Sequence, residues 1–122
     1  MSDLPHPDVD ADVRAELARD RARTRRRAAD LRRQVDRLIE DATLTPPDDE
    51  HDPDGATVGF ERAQLLHLLA DAERHLDALD ASEARLADGD GGRCVACGGP
   101  IGAARRVARP VTDRCVGCAG AR

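Results

Sequence analysis

Two Cys-x-x-Cys pairs near the end of the chain constrain its fold more than any other feature. The pairs are Cys94 with Cys97 and Cys115 with Cys118, with seventeen residues between them and no cysteine elsewhere. Two thiolates three positions apart can hold one ion through a tight turn, and a second such turn completes a tetrahedral four-sulfur shell. Four protein ligands leave no position for water. The spacing therefore predicts one structural zinc ion, with these four cysteines as its ligands.

The same spacing is also used by iron–sulfur or rubredoxin-like electron carriers and by dithiol redox pairs. No strand–helix–strand pattern accompanies the cysteines here, which favours zinc over either alternative. The segment 89–122 contains only five aliphatic residues besides alanine. That number is too small to fold a segment of this length unaided, so we expect the metal to supply the missing stability.

The rest of the chain predicts long helices. With one Phe, one Met and neither Trp nor Tyr, it cannot build an ordinary globular core, and 35% of its residues are charged. Apolar residues repeat in heptads on both sides of Pro46 and Pro47, which end the first helix. The predicted fold is mostly α, an antiparallel coiled-coil helical hairpin with a small C-terminal four-Cys zinc-ribbon-like module.

We predict a flexible tail over residues 1–8, the hairpin over 9–88 with an acidic tip near 45–56, and the C4 zinc-finger module over 89–122. The second helix is expected to begin near Ala56 or Thr57. Arg21 and Thr24 interrupt the apolar stripe of the first helix, so its first half is less expected to pack. The predicted stripes are Leu17, Leu31 and Leu38 with Ala28, Val35 and Ala42, and then Val58, Leu65, Ala72, Leu79 and Leu86 with Leu69 and Leu76.

Charge is distributed unevenly along the predicted hairpin. The run Arg25, Arg26, Arg27 is interpreted as a solvated helix face. Five carboxylates within seven residues occupy the turn. They either keep the loop soluble or present acids to a cationic or metal-containing cavity on a partner. These residues are Asp48, Asp49, Glu50, Asp52 and Asp54.

Several function classes are disfavoured. The net charge of -5, the absence of aromatic residues from 89–122 and the lack of a recognition helix argue against direct sequence-specific DNA binding. No metalloprotease, phosphate-loop or nucleophile-elbow motif supports an enzyme. No apolar stretch is long enough for a membrane span, and we expect a cytoplasmic protein without a membrane partner.

The motifs of the second half resemble the DksA/TraR family of bacterial RNA polymerase regulators. The resemblance implies a coiled-coil hairpin that enters the secondary channel of RNA polymerase, with the zinc module at its base. The residues that match are Cys94-Val-Ala-Cys97-Gly98, Ile101-Gly102, Ala108-Arg109-Pro110, Asp113 and Cys115-Val-Gly-Cys118.

The resemblance also implies a functional tip. Family members read Asp-x-x-Asp-x-Ala there, and counting back from Cys94 aligns Asp54 and Ala56 with the last two positions. His51 falls on the first position, with Asp52 beside it. Asp52, Asp54 and Ala56 are therefore the expected partner-binding residues, and Asp54 is expected to approach the polymerase active site and to alter the lifetime of promoter complexes.

Two further departures from the family pattern lie near the cysteines. Gly91 stands where relatives commonly have an aromatic residue, and Arg106 replaces a usual apolar one. The alternative function is a zinc-stabilised coiled-coil adaptor that does not act on RNA polymerase. We expect a monomer, because an intramolecular hairpin uses its own apolar stripes, whereas an adaptor that uses the stripe on itself would be a dimer.

Overall fold

Two long helices dominate the chain. The computed structural model describes residues 7–44 and 53–120. Helix α1 comprises Pro7–Leu44 and helix α2 comprises Pro53–Ala87, and they pack as a hairpin. The predicted mostly α fold class is confirmed.

The C-terminal module contains two short helices, α3 (Ala103–Ala108) and α4 (Val116–Ala119). Over the described ranges no extended strand forms, and an isolated antiparallel bridge joins Arg93 to Pro100. None of the described helices combines the length and apolar character needed to cross a membrane.

Both long helices begin at a proline. Pro7 starts α1 within the predicted 1–8 tail, and Pro53 starts α2 three residues before the expected Ala56. Proline suits a first helical position because its fixed φ matches the helix and no N–H is needed there. Sequence reasoning treated these prolines as part of the tail and turn and therefore placed both starts too late.

The chain divides into two compact units. The first combines Met1–Ala22 with Leu76–Arg122, and the second is Arg23–His75. In the first unit, residues from both long helices form the core, and residues of the C-terminal segment pack against it. Its buried members are Val13, Leu17, Leu79 and Leu86, against which Val9, Leu76, Val107 and Val111 pack.

The first half of α1 is thus well packed, and the expectation that it would pack less well was wrong. Arg21 does not break the stripe, since its guanidinium group pairs with Asp80 and Glu83 of α2. A long arginine stem can lie along apolar surface while its charged end reaches carboxylates. Thr24, in the second unit, is itself buried.

The second unit has its own buried residues, Ala28, Leu31 and Val35 from α1 and Ala72 from α2. An exposed ion pair between Arg32 and Glu73, 2.9 Å long, also links the two helices. Burial then decreases along α1. Leu38 is half-buried and Ala42 is exposed, although both were predicted to belong to the stripe.

Leu79 offers a test of the core in the first unit. Its side chain is fully buried, so Leu79→Ala should lower the free energy of unfolding by about 2–5 kcal/mol. Leu66→Ala removes the same atoms from a residue that is 43% exposed and should cost less than about 1 kcal/mol. Urea denaturation followed by circular dichroism measures both. Equal losses for the two variants would contradict this packing.

Candidate metal centre

The first cysteine pair lies in a tight turn. The Cys94 N–H donates to the Gly99 carbonyl at 2.8 Å, and the Gly98 N–H donates back to the Cys94 carbonyl at 2.9 Å. Gly98 has φ +73, a left-handed conformation that favours glycine. The Gly99 N–H points at the sulfur of Cys97, at 3.4 Å. A backbone N–H aimed at a sulfur is a common feature around metal-bound thiolates.

The second pair is arranged differently. Cys115 has an extended backbone and caps the start of α4, while Cys118 lies inside that short helix. The Ala119 N–H donates to the Cys115 carbonyl at 2.9 Å, and the Val95 N–H donates to the Asp113 carbonyl at 2.8 Å. The second of these bonds joins the two cysteine-bearing segments and brings the four thiols together.

The four sulfur atoms have the spacing of a zinc site. All lie within 4.8 Å of one another, and the sulfurs of Cys97 and Cys115 are 3.9 Å apart. Tetrahedral zinc with bonds of about 2.3 Å separates its sulfur ligands by about 3.8 Å. The donor set therefore fits a single zinc ion with no open coordination position, and the prediction of one structural zinc is confirmed.

The electrostatics of the thiols also favour a cation. The backbone N–H of Cys115, helped by those of Cys97 and Ala96 and opposed by burial, lowers the pKa of Cys94 to about 6. Hydrogen bonding with Cys115 and the other sulfurs raises the pKa of Cys118 to about 12. Without an ion, the four sulfurs cannot all ionise at such short distances. A divalent metal removes this conflict because it stabilises every thiolate that it binds.

Two arginines of α3, Arg105 and Arg106, follow the first cysteine pair in the sequence, but their guanidinium groups bond away from the four sulfurs. Arg105 donates to the Arg114 carbonyl at 2.9 Å and to the Thr112 hydroxyl at 3.2 Å. Arg106 pairs at 2.5 Å with Asp10, which lies in the first turn of α1. Arg105 therefore stabilises the module internally, and Arg106 joins the module to α1.

The Asp10–Arg106 ion pair is buried, with Arg106 only 6% exposed. Its guanidinium group lies against Gly92, where an added Cβ would be 3.5 Å away. At Gly91 a Cβ would lie 2.6 Å from Leu86 and 3.2 Å from Arg106. The two departures from the family pattern thus occur together, since Arg106 occupies space that a side chain at position 91 would need.

Sequence reasoning missed this ion pair. Asp10 and its partner are 96 positions apart. The available signal was Arg106 itself, because a charged residue at a position that is usually apolar needs a partner if it is buried. Nothing in the sequence indicated that this partner is Asp10.

The predicted tip lies mostly outside the described residues. Asp52 and His51 fall in the undescribed stretch 45–52, as do Asp48, Asp49 and Glu50. Asp54 belongs to the first turn of α2, and Ala56 follows in the same helix with an exposed side chain. The role of Asp52, Asp54 and Ala56 in partner binding stays a prediction.

The histidines of α2 do not form a metal site. His67 is exposed and lies 3.5 Å from Asp71, while His75 is half-buried. Over residues 7–44 and 53–120, the four cysteines are the only group of three or more His, Cys, Asp or Glu side chains close enough to hold an ion.

The site and the hairpin together define a class of protein, a helical hairpin with a C4-type zinc finger. Residues 89–122 match the family model of the prokaryotic dksA/traR C4-type zinc finger. The structure is similar to that of transcription factor DksA2 from Pseudomonas aeruginosa, with 29% identity and a TM-score of 0.54, over 86% of this chain and 81% of that one. Comparison with curated protein sequences finds no significant match. The chain thus carries a zinc finger of the dksA/traR type and is similar in structure to a DksA protein.

Proposed function

We propose that the protein regulates transcription by binding RNA polymerase through the secondary channel, with its acidic hairpin tip directed at the active site. The main support is that a C4 zinc finger of the dksA/traR type follows directly on a long helical hairpin. A solved protein of similar structure, at 29% identity, is a transcription factor. The protein would thus modulate an enzyme without catalysing a reaction itself.

The proposal assigns a role to each part. Cys94, Cys97, Cys115 and Cys118 bind the zinc ion, which stabilises the module formed by residues 89–122. The hairpin 9–88 reaches into the polymerase. The buried core of the first unit, which includes Val107 and Val111 of the module, supports this arrangement because it packs the module on the hairpin helices.

The tip acts through charge. A carboxylate at Asp54 would lie near the catalytic magnesium or the basic residues around it, in a narrow channel where few water molecules screen its field. Ala56 keeps the tip slim enough to enter. The exposed methyl group of Ala56 and the position of Asp54 in the first helical turn are compatible with this role.

Asp54→Asn tests the tip separately from binding. We expect this variant to bind polymerase core with an affinity within about twofold of the parent, since most of the contact area lies along the hairpin. It should lose most of its effect on the lifetime of promoter complexes, measured by competitor challenge. Asp88→Asn removes an equal charge from an exposed position at the other end of α2 and should keep the effect.

Normal regulation by Asp54→Asn would show that the Asp54 carboxylate has no role in regulation. It would leave the proposal of polymerase binding intact. No complex between the parent protein and polymerase core at micromolar concentration would instead contradict the proposal as a whole and favour an adaptor for another protein.

A further inference from the structure

The middle of α1 has a charge opposite to that of the whole protein. Residues 23–37 contain seven arginines and two aspartates, a local charge of +5 in a chain whose net charge is -5. Sequence reasoning interpreted part of this segment, Arg25 to Arg27, as a solvated face. The structure separates its arginines into those with a carboxylate partner and those without one.

Four of these arginines share one side of the helix. At about 100° per residue, Arg23, Arg26, Arg27 and Arg37 project within a sector of roughly 100° and span about 21 Å along the axis. All four side chains are exposed, and the buried residues of α1 lie outside this sector. We call these four residues the arginine face.

Two carboxylates of this part of the hairpin pair with arginines outside the arginine face. Asp30 pairs with Arg33, and Glu73 of α2 pairs with Arg32. Within the described ranges, the guanidinium groups of the arginine face have no ion pair or hydrogen bond. Four guanidinium groups left exposed and unpaired provide bidentate donors for an anionic partner.

The neighbouring charges distinguish between possible partners. Asp30 lies inside the sector of the arginine face, and Asp41 lies on the same side beyond Arg37. A phosphate backbone running along α1 would meet both carboxylates, and the net negative charge of the chain would oppose it further. A discrete group of carboxylates on a protein surface would contact the arginines without lying along Asp30 and Asp41.

We propose that the arginine face docks on an acidic surface of the protein partner. This inference rests on the proposed function, under which the partner is RNA polymerase and the acidic surface flanks the bound hairpin. The arginines would provide salt-dependent affinity and orientation, whereas the tip would provide the regulatory effect.

The test compares R23Q/R26Q with R14Q/R25Q, which removes two exposed arginines of α1 that lie outside the arginine face. At 150 mM salt, R23Q/R26Q should bind polymerase core about tenfold more weakly than the parent, and R14Q/R25Q within about twofold. The affinity of R23Q/R26Q should also depend less on salt. Equal affinities of the two variants would overturn the proposed docking role of the arginine face while leaving the polymerase proposal intact.

A second measurement keeps the arginine face testable if polymerase is not the partner. In a low-salt titration with hexaglutamate, amide NMR shifts should move in residues 23–37 of the parent and of R14Q/R25Q, but not of R23Q/R26Q. Absence of this difference would overturn the proposed docking role of the arginine face. Stronger binding of a hexanucleotide RNA that depends on the same arginines would overturn the choice of an acidic protein.

Discussion

Replacing Cys94 by serine should abolish zinc binding and unfold the C-terminal module. Cys94 is 2% exposed, its sulfur is within 4.8 Å of the other three, and a serine hydroxyl is a poor zinc ligand. Structural zinc contributes about 10–16 kcal/mol in zinc-finger peptides, as much as the whole stability of a typical domain. Metal analysis should show the zinc content fall from one per chain to near zero, and amide NMR should show collapsed dispersion for residues 89–122.

Val95→Ala is the matched control, because it changes the next residue in the same turn. Val95 is 57% exposed, so the substitution should keep one zinc per chain and alter stability by less than about 0.5 kcal/mol. A folded, dispersed module in metal-free Cys94→Ser would contradict the structural role of the metal. Iron in the freshly purified parent protein would contradict its identity as zinc.

Breaking the Asp10–Arg106 ion pair should markedly lower the free energy of unfolding. Arg106→Ala leaves the Asp10 carboxylate beside an apolar cluster and opens a space beside Gly91 and Gly92. Removing one partner of a buried ion pair costs about 3–5 kcal/mol, and we expect a loss near the lower figure because the Asp10 side chain is 20% exposed. Chemical denaturation measures the loss, and Asp10→Ala should give a similar one.

The double variant isolates the pairing. The free energy of unfolding of D10A/R106A should fall by clearly less than the sum of the two single-variant losses, because neither charge is then left without its partner. The exposed Asp30–Arg33 pair is the control, and its removal should change stability by less than about 1 kcal/mol. Additive losses for Asp10 and Arg106 would show that they contribute independently, contrary to the geometry described above.

The secondary structure and the zinc site followed from local patterns in the sequence. Heptads of leucine and alanine predicted both long helices, and two Cys-x-x-Cys pairs predicted the cluster of four thiols. The match to dksA/traR zinc fingers and the similarity to DksA2 agree with the resemblance that those motifs indicated. Each of these signals depends on residues that are close in sequence or on a spacing of known meaning.

The errors came from contacts between distant residues. Arg21 reads as a break in an apolar stripe, yet it is accommodated by Asp80 and Glu83 from α2. Arg106 reads as a charge near the zinc site, yet it is neutralised by Asp10, close to the start of the chain. A periodic pattern in one helix contains no information about the carboxylates that the fold brings opposite it. The partners of these two arginines therefore could not be predicted.

The proposed action on RNA polymerase is tested most directly by locating the tip in the complex. A photo-crosslinking amino acid at position 56, an exposed site in the first part of α2, should label the polymerase subunit that lines the secondary channel close to the active site. The same crosslinker at exposed position 88 should label only surfaces outside the channel. Labelling from position 56 confined to the outer surface of polymerase, or no complex at micromolar concentration, would contradict the proposal.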